Sequence, residues 1–85
     1  MKTSFNLSDE IRSEIRWSQS KRGYVIDATH ARGPRGGRVR NTIRFAGTNE
    51  AAAHRNADEL IGRRWSHPIT DLTIYEVDAL GVVQN

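Results

Sequence analysis

The sequence predicts an α+β fold: a single small antiparallel sheet, in the order strand, strand, strand, helix, strand, with one helix packed on one face. Several short segments alternate apolar and polar residues, as half-buried strands do, and one longer segment has the apolar spacing of an amphipathic helix. The 85 residues are 36% hydrophobic, which is enough for one thin core. We therefore expect residues 1–85 to form a single domain.

The first predicted strand is residues 11–17, because apolar and charged residues alternate there: Ile11, Ser13, Ile15 and Trp17 against Arg12, Glu14 and Arg16. A helix is the alternative, since Leu7, Ile11 and Ile15 also follow helical spacing and Ser8 can start a helix. The strand is favoured because a glycine-containing turn leads directly into the next strand, so that the two would form a hairpin.

The second predicted strand, residues 24–30, is rich in the β-branched and aromatic residues that favour strands. A loop of glycine and arginine follows, and the third predicted strand covers residues 38–45. Alternation along this strand predicts that Val39, Ile43 and Phe45 face the core. The opposite face would then carry Arg38, Arg40 and Arg44.

The predicted helix is residues 49–64, with Thr48 as its N-cap. Arg63 and Arg64 suit the negative end of the helix dipole. One apolar stripe would pack on the sheet, formed by Ala53, Ala57, Leu60 and Ile61.

The final predicted strand, residues 70–78, is apolar on both sides, so both faces of the sheet are expected to be partly covered. Leu72 and Ile74 lie on one side, and the other carries Thr73, Tyr75 and Val77. Residues 79–85 either pair along an edge or stay loose. Trp17 and Trp65 are expected in the core rather than against bases.

Positive charge is concentrated in one part of the chain. Residues 12–44 contain nine Lys or Arg against two carboxylates, whereas residues 65–85 contain three carboxylates and no Lys or Arg. Arginine presents a rigid donor fork that matches phosphate and carboxylate. The predicted binding site is therefore the outer sheet face together with the glycine and arginine loop: Arg12, Arg16, Arg32, Arg35, Arg38, Arg40 and Arg44. Five of these arginines would share one patch if the first and third strands are neighbours.

The segment from residue 24 to residue 61 resembles sheet-then-helix DNA-binding domains. A basic hairpin is followed by Ile43, Arg44, Phe45, Ala46, Gly47, Thr48, Asn49, Glu50, Ala51, Ala52 and then Ala57. This pattern is similar to the APETALA or ethylene-response-factor domains of plants and to the arm-binding domains of tyrosine recombinases. The resemblance implies a three-stranded sheet in the major groove, backed by the helix. It would place Arg38, Arg40 and Arg44 on the groove side, with Arg32 and Arg35 near phosphates.

A second resemblance is to small, cysteine-free phage-encoded inhibitors, including anti-CRISPR proteins. It implies the alternative function, an inhibitor that binds a host protein or ribonucleoprotein and blocks its nucleic-acid binding. The predicted partner is thus nucleic acid, either DNA or RNA, or else an acidic protein or ribonucleoprotein surface. The chain is expected to act as a monomer or homodimer.

The sequence disfavours catalysis and predicts neither a cofactor nor a metal. His54 and Asp58 have the spacing of a metal half-site, but no third ligand is evident. Ser66 and His67 lack a nucleophile elbow, and the glycine-rich loop lacks the Lys and Ser/Thr of a P-loop. The chain has no cysteine and no apolar run long enough to span a membrane, so we expect a cytoplasmic protein.

Overall fold

The computed structural model describes residues 3–84 and confirms the α+β class. The elements follow in the order α1 (Asp9–Trp17), β1 (Arg22–His30), β2 (Asn41–Gly47), α2 (Glu50–Gly62) and β3 (Ile69–Asp78). The strands form one antiparallel sheet in the order β2-β1-β3. The predicted order of elements was wrong in one respect, because the first element is a helix and not a strand. The sheet therefore has a helix on each face.

Residues 11–17 are helical because the segment is capped and charged as a helix. The Ser8 hydroxyl accepts a hydrogen bond from the amide of Ile11, and Asp9 and Glu10 lie in the first turn. Ile15 is completely buried, whereas Trp17 is 80% exposed. Two residues turn a helix by about 200°, so Trp17 points away from the sheet that Ile15 contacts. The prediction of a core position for Trp17 was wrong for this reason.

β1 is the central strand and is covered on both faces. Ile26 and Ala28 belong to the core beneath α2, which also contains Ala53, Ala57 and Leu60. Val25 belongs to the core beneath α1, together with Leu7, Ile15 and Val77. A Cβ atom on Gly23 would lie 2.8 Å from the Cγ1 of Ile15, so glycine at this position allows α1 to approach the sheet.

The second helix largely follows its prediction. Asn49, not Thr48, is the N-cap, and its side chain accepts from the amide of Ala52 at 2.8 Å. The small residues Ala53 and Ala57 let the helix lie close to the sheet. Ile61 was expected in this stripe but is 54% exposed. Trp65 is half-buried against the α2 core, which confirms that expectation in part.

The chain end pairs with the sheet and with the start of the chain. Val83 bridges to Val77, and Ser4 bridges to Val82, so residues 82–84 extend the β3 edge. Of the two alternatives for the tail, pairing is the one observed. Asn85 lies outside the described residues. Neither described helix is long and apolar enough to cross a membrane.

Candidate functional site

The loop between β1 and β2, residues 31–40, is held in place by backbone hydrogen bonds. A turn at its tip is closed by the amide of Gly36, which donates to the carbonyl of Gly33 at 2.9 Å. Gly36 and Gly37 have φ angles of 77° and 96°, in a region that favours glycine. At the base, the amide of Ala31 donates to the carbonyl of Pro68 at 2.7 Å. The loop is therefore held at both its tip and its base.

Four arginines project from this loop with no partner of their own. Arg32, Arg35, Arg38 and Arg40 are all exposed. Within residues 3–84, their side chains take part in none of the ion pairs and in none of the hydrogen bonds. Arg38 and Arg40 precede β2 and do not belong to a strand, so the prediction that places them on a sheet face was wrong. Their guanidinium groups are available to an external anion.

The end of α2 adds two further arginines beside the loop. Arg63 and Arg64 directly follow the helix and directly precede Trp65, whose ring lies 4.9 Å from the ring of His30, centroid to centroid. His30 is the last residue of β1, so the chain after α2 lies where the loop starts. From the sequence, Arg63 and Arg64 were expected only to interact with the helix dipole. The basic end of the molecule is defined here as Arg32, Arg35, Arg38, Arg40, Arg63 and Arg64.

The two segments that supply the basic end contain no acidic residue, although Glu59 and Asp71 directly flank the second segment and the first continues along β2 to the other end of the sheet. Residues 28–49 and 60–70 together hold seven arginines and no carboxylate, whereas the rest of the chain holds six Lys or Arg and ten carboxylates. A net charge of +3 for the whole chain therefore conceals a strongly basic end. This absence of carboxylates from two separate segments is the sequence signal that could have identified Arg63 and Arg64 as candidate binding residues.

Arg44 lies on the opposite face of the sheet from the one predicted. It pairs in register with Ile26, and both line a small cleft of about 130 Å³ between β2 and α2. Arg63 also lines this cleft. Arg44 thus lies on the face of β2 that α2 packs against, although its side chain remains exposed, and Ile43 on the other face is 41% exposed. The groove-side position that the DNA-binding resemblance implies for Arg44 was therefore wrong.

Arg12 and Arg16 are not brought to the basic end. Both belong to α1, which packs near the start of β1 at Gly23, whereas the loop follows the last residue of β1, His30. Seven residues of strand separate these two points by about 23 Å. Arg12 also has partners of its own: its guanidinium donates to the carbonyl of Leu7 at 3.3 Å and lies 3.9 Å from the Asp9 carboxylate. The predicted patch of five arginines on one face does not form.

The part of the sheet that α1 leaves open is polar and acidic instead. Asp27 and Thr29 of β1 share this face with Thr73 and Asp71 of β3, which lie directly opposite them in the same order. The Asn41 amide joins the first two, donating to Asp27 Oδ1 at 2.6 Å and to Thr29 Oγ1 at 3.2 Å. The expectation of a basic outer sheet face was wrong.

A cleft lies beside the basic loop, formed around a buried histidine. His30 is 8% exposed, and its Nδ1–H donates to the carbonyl of His67 at 2.8 Å. Because a carbonyl can only accept, Nδ1 carries a proton, and Nε2 lies 2.6 Å from the hydroxyl of Thr42, from which it accepts in the neutral form of the ring. Trp65 is fixed by its indole N–H, which donates to the carbonyl of Leu60 at 2.9 Å. The cleft measures about 240 Å³, and its lining also includes Arg40, Asn41 and Ser66.

The opposite end of the sheet has a cleft of different character, in which charges are paired. Glu76 accepts from the guanidinium of Arg22 and from the hydroxyl of Tyr24, each at 3.1 Å. Partial burial raises the pKa of the Tyr24 phenol above its ordinary value, and so do the hydrogen bond to Glu76 and the charges of Glu76 and Glu50. Arg22 at this end is therefore paired with a carboxylate, unlike the loop arginines.

The two family resemblances stay predictions. Their motifs were loose, and the placement of the arginines differs from what the DNA-binding resemblance implies. Comparison of the chain with family models, with curated proteins and with solved structures found no match.

Proposed function

We propose that this protein is a non-enzymatic binding protein whose basic end contacts the phosphate backbone of nucleic acid. The observation that carries the proposal is the meeting of two carboxylate-free, arginine-rich segments at one end of the sheet. The six arginines of the basic end outnumber the carboxylates that adjoin it, Glu59 in the cleft with Arg63 and Asp71 opposite Thr29, so the net field attracts a polyanion.

The local chemistry supports phosphate as the group that is bound. Arginine can donate two parallel hydrogen bonds to one phosphate. Gly36 and Gly37 have open space where a side chain would stand, so a backbone can approach the loop closely. The turn and the hydrogen bond from Ala31 to Pro68 hold the loop before a partner arrives, which lowers the entropic cost of binding.

Fluorescence anisotropy of labelled DNA tests the proposal directly. Duplex and single-stranded oligonucleotides would be titrated with the full chain at low and at near-physiological salt. We expect binding that weakens as salt rises, because arginines that neutralise phosphates release condensed counterions. The absence of binding even at low salt would contradict the proposal and favour an acidic protein or ribonucleoprotein partner.

A double variant connects the binding to the loop. Arg38→Ala with Arg40→Ala removes two loop cations, and the backbone hydrogen bond from the His30 amide to the Arg40 carbonyl can persist. We expect weaker DNA binding, a salt dependence reduced by about two phosphate contacts, and an unchanged unfolding transition. Arg16→Ala with Arg55→Ala is the matched control, since both of these arginines are exposed but lie on helices outside the basic end. An equal loss of affinity in both double variants would refute the role of the loop.

A further inference from the structure

The cleft beside the basic loop has a composition that phosphate binding alone does not require. Two clefts adjoin each other here and share Arg40 and His67 in their linings. The larger, of about 480 Å³, is bounded by the glycines of the loop and by Arg38. The smaller, of about 240 Å³, contains Trp65 and the buried His30. The two adjoining clefts, here called the groove, thus place a cationic, glycine-lined part next to an aromatic part.

We infer that this groove binds single-stranded nucleic acid, with phosphates against the loop arginines and an unpaired base against Trp65. The inference rests on the proposed function and specifies its substrate class. A base inside a duplex is stacked on its neighbours and cannot enter a cleft of this kind, whereas an unpaired base presents a flat face to an aromatic side chain.

The aromatic part of the groove is held in place before any ligand binds. The Trp65 indole is fixed by its hydrogen bond to Leu60 and by edge contact with the His30 ring, at an interplanar angle of 60°. His30 is fixed in turn by Thr42 and by the carbonyl of His67. Stacking on a ring that is already oriented requires little further loss of side-chain entropy.

The groove also contains polar groups at the edge of the stacking position. The Thr42 hydroxyl donates to His30 Nε2, so its oxygen still has a lone pair that can accept from a base. His67 and Ser66 are exposed at the mouth of the cleft. These groups can accept or donate to the edge of a base of any kind, so the groove predicts a preference for single strands and not for one sequence.

The two tryptophans make a direct spectroscopic test possible. In Trp17→Phe, which changes a residue 80% exposed on α1, Trp65 is the only tryptophan. The full-length variant would be titrated with a ten-residue oligothymidine, with an abasic strand of the same length and with a duplex. We expect oligothymidine to quench Trp65 fluorescence and to bind about 5- to 100-fold more tightly than the abasic strand. An oligouridine of equal length tells whether RNA or DNA is preferred.

The outcomes separate this inference from the proposed function. Equal affinity for the abasic strand and oligothymidine, with no quenching, would overturn the base cleft and leave phosphate binding intact. No binding of any strand would remove both. His67→Ala, which changes an exposed side chain at the junction of the two clefts, should weaken oligothymidine binding more than abasic-strand binding. His54→Ala, an exposed histidine on α2, should change neither, and an equal effect of the two variants would contradict the assignment.

Discussion

The two ends of the sheet use the same residue type in different ways. At the α1 end, Arg12 lies beside Asp9 and the Leu7 carbonyl, and Arg22 pairs with Glu76. At the basic end, the loop arginines have no such partners among the described residues 3–84. Arg12 and Arg22 at the first end thus contact other groups of the fold, whereas within residues 3–84 the loop arginines, like the exposed Arg16 of α1, have no such contact.

The difference also concerns what holds each end together. The α1 end is held by apolar packing, with Ile15, Val25 and Val77 all fully buried. The basic end is held by hydrogen bonds, from His30 to Thr42 and His67 and from Ala31 to Pro68. We therefore expect mutations at the α1 end to change mainly stability and mutations at the basic end to change mainly binding.

The largest effect is expected from removing packing at the α1 end. Ile15→Ala deletes a completely buried side chain and should lower the free energy of unfolding by about 2–5 kcal/mol. Trp17→Ala deletes a larger side chain from the same helix, but Trp17 is 80% exposed, so its cost should stay below about 1 kcal/mol. Urea denaturation followed by circular dichroism measures both. A greater loss in Trp17→Ala would contradict the assigned faces of α1.

A smaller but more local effect is expected at the basic end. His30→Leu replaces the ring with an apolar side chain of similar size, which leaves the His67 carbonyl and the Thr42 hydroxyl without their partner. We expect the free energy of unfolding to fall by about 1–3 kcal/mol. Amide hydrogen exchange should accelerate at Ala31, the first residue of the loop, and the affinity for DNA should fall.

The exposed His54 provides the control for that variant. His54→Leu should leave the exchange of Ala31 and the DNA affinity unchanged, because His54 is exposed on α2, where its ring lies 3.7 Å from the exposed Glu50 carboxylate. If His30→Leu loosened the α1 end as much as the loop, the two ends would not be independent.

The amino-acid sequence was sufficient for the class of fold but not for the faces of its elements. Residues 11–17 satisfied the spacings of a strand and of a helix, because Ile11 and Ile15 are inward in both. The Ser8 cap and the acidic first turn are the signals that distinguish the helix from the strand. The alternation of Ile43 and Arg44 in β2 was right, but Val39 and Ile43, which were predicted to face the core, are 43% and 41% exposed. The face covered by α2 could not be derived, since β1 is apolar on both sides at Val25 and Ile26.

The candidate site was predictable where it is local in sequence. Arg32, Arg35, Arg38 and Arg40 lie within one loop, and their exposure follows from its glycines. The cleft was not predictable, because it is made by contact between the end of β1 and the chain after α2. His30 and Trp65 are 35 positions apart, and only the packed sheet brings them within 4.9 Å.

Two single arginine variants compare the ends most directly. Arg22→Ala should lower stability by at most about 1 kcal/mol, because its pair with Glu76 is half exposed, and should leave DNA binding unchanged. Arg38→Ala should leave stability within about 0.5 kcal/mol and should lower the salt slope of binding by about one. Urea denaturation measures the stability of each variant, and fluorescence anisotropy measures its DNA binding. Similar binding losses would show that general positive charge, and not the basic end, attracts the DNA.

The smallest expected effect is a pH dependence confined to the paired end. The pKa of Tyr24 is raised in the folded protein, chiefly by burial and then by the hydrogen bond to Glu76. The unfolded chain therefore loses this proton first, so the stabilising contribution is complete below about pH 10 and declines as the pH rises through the raised pKa. Tyr24→Phe should reduce the difference between urea midpoints measured at about pH 8 and about pH 11. Glu76→Gln, which keeps a hydrogen-bond acceptor but removes the charge, should reduce it in part. A midpoint difference that is the same in Tyr24→Phe as in the unmodified chain would mean that other groups produce the alkaline destabilisation, and that Tyr24 ionises equally in the folded and unfolded states.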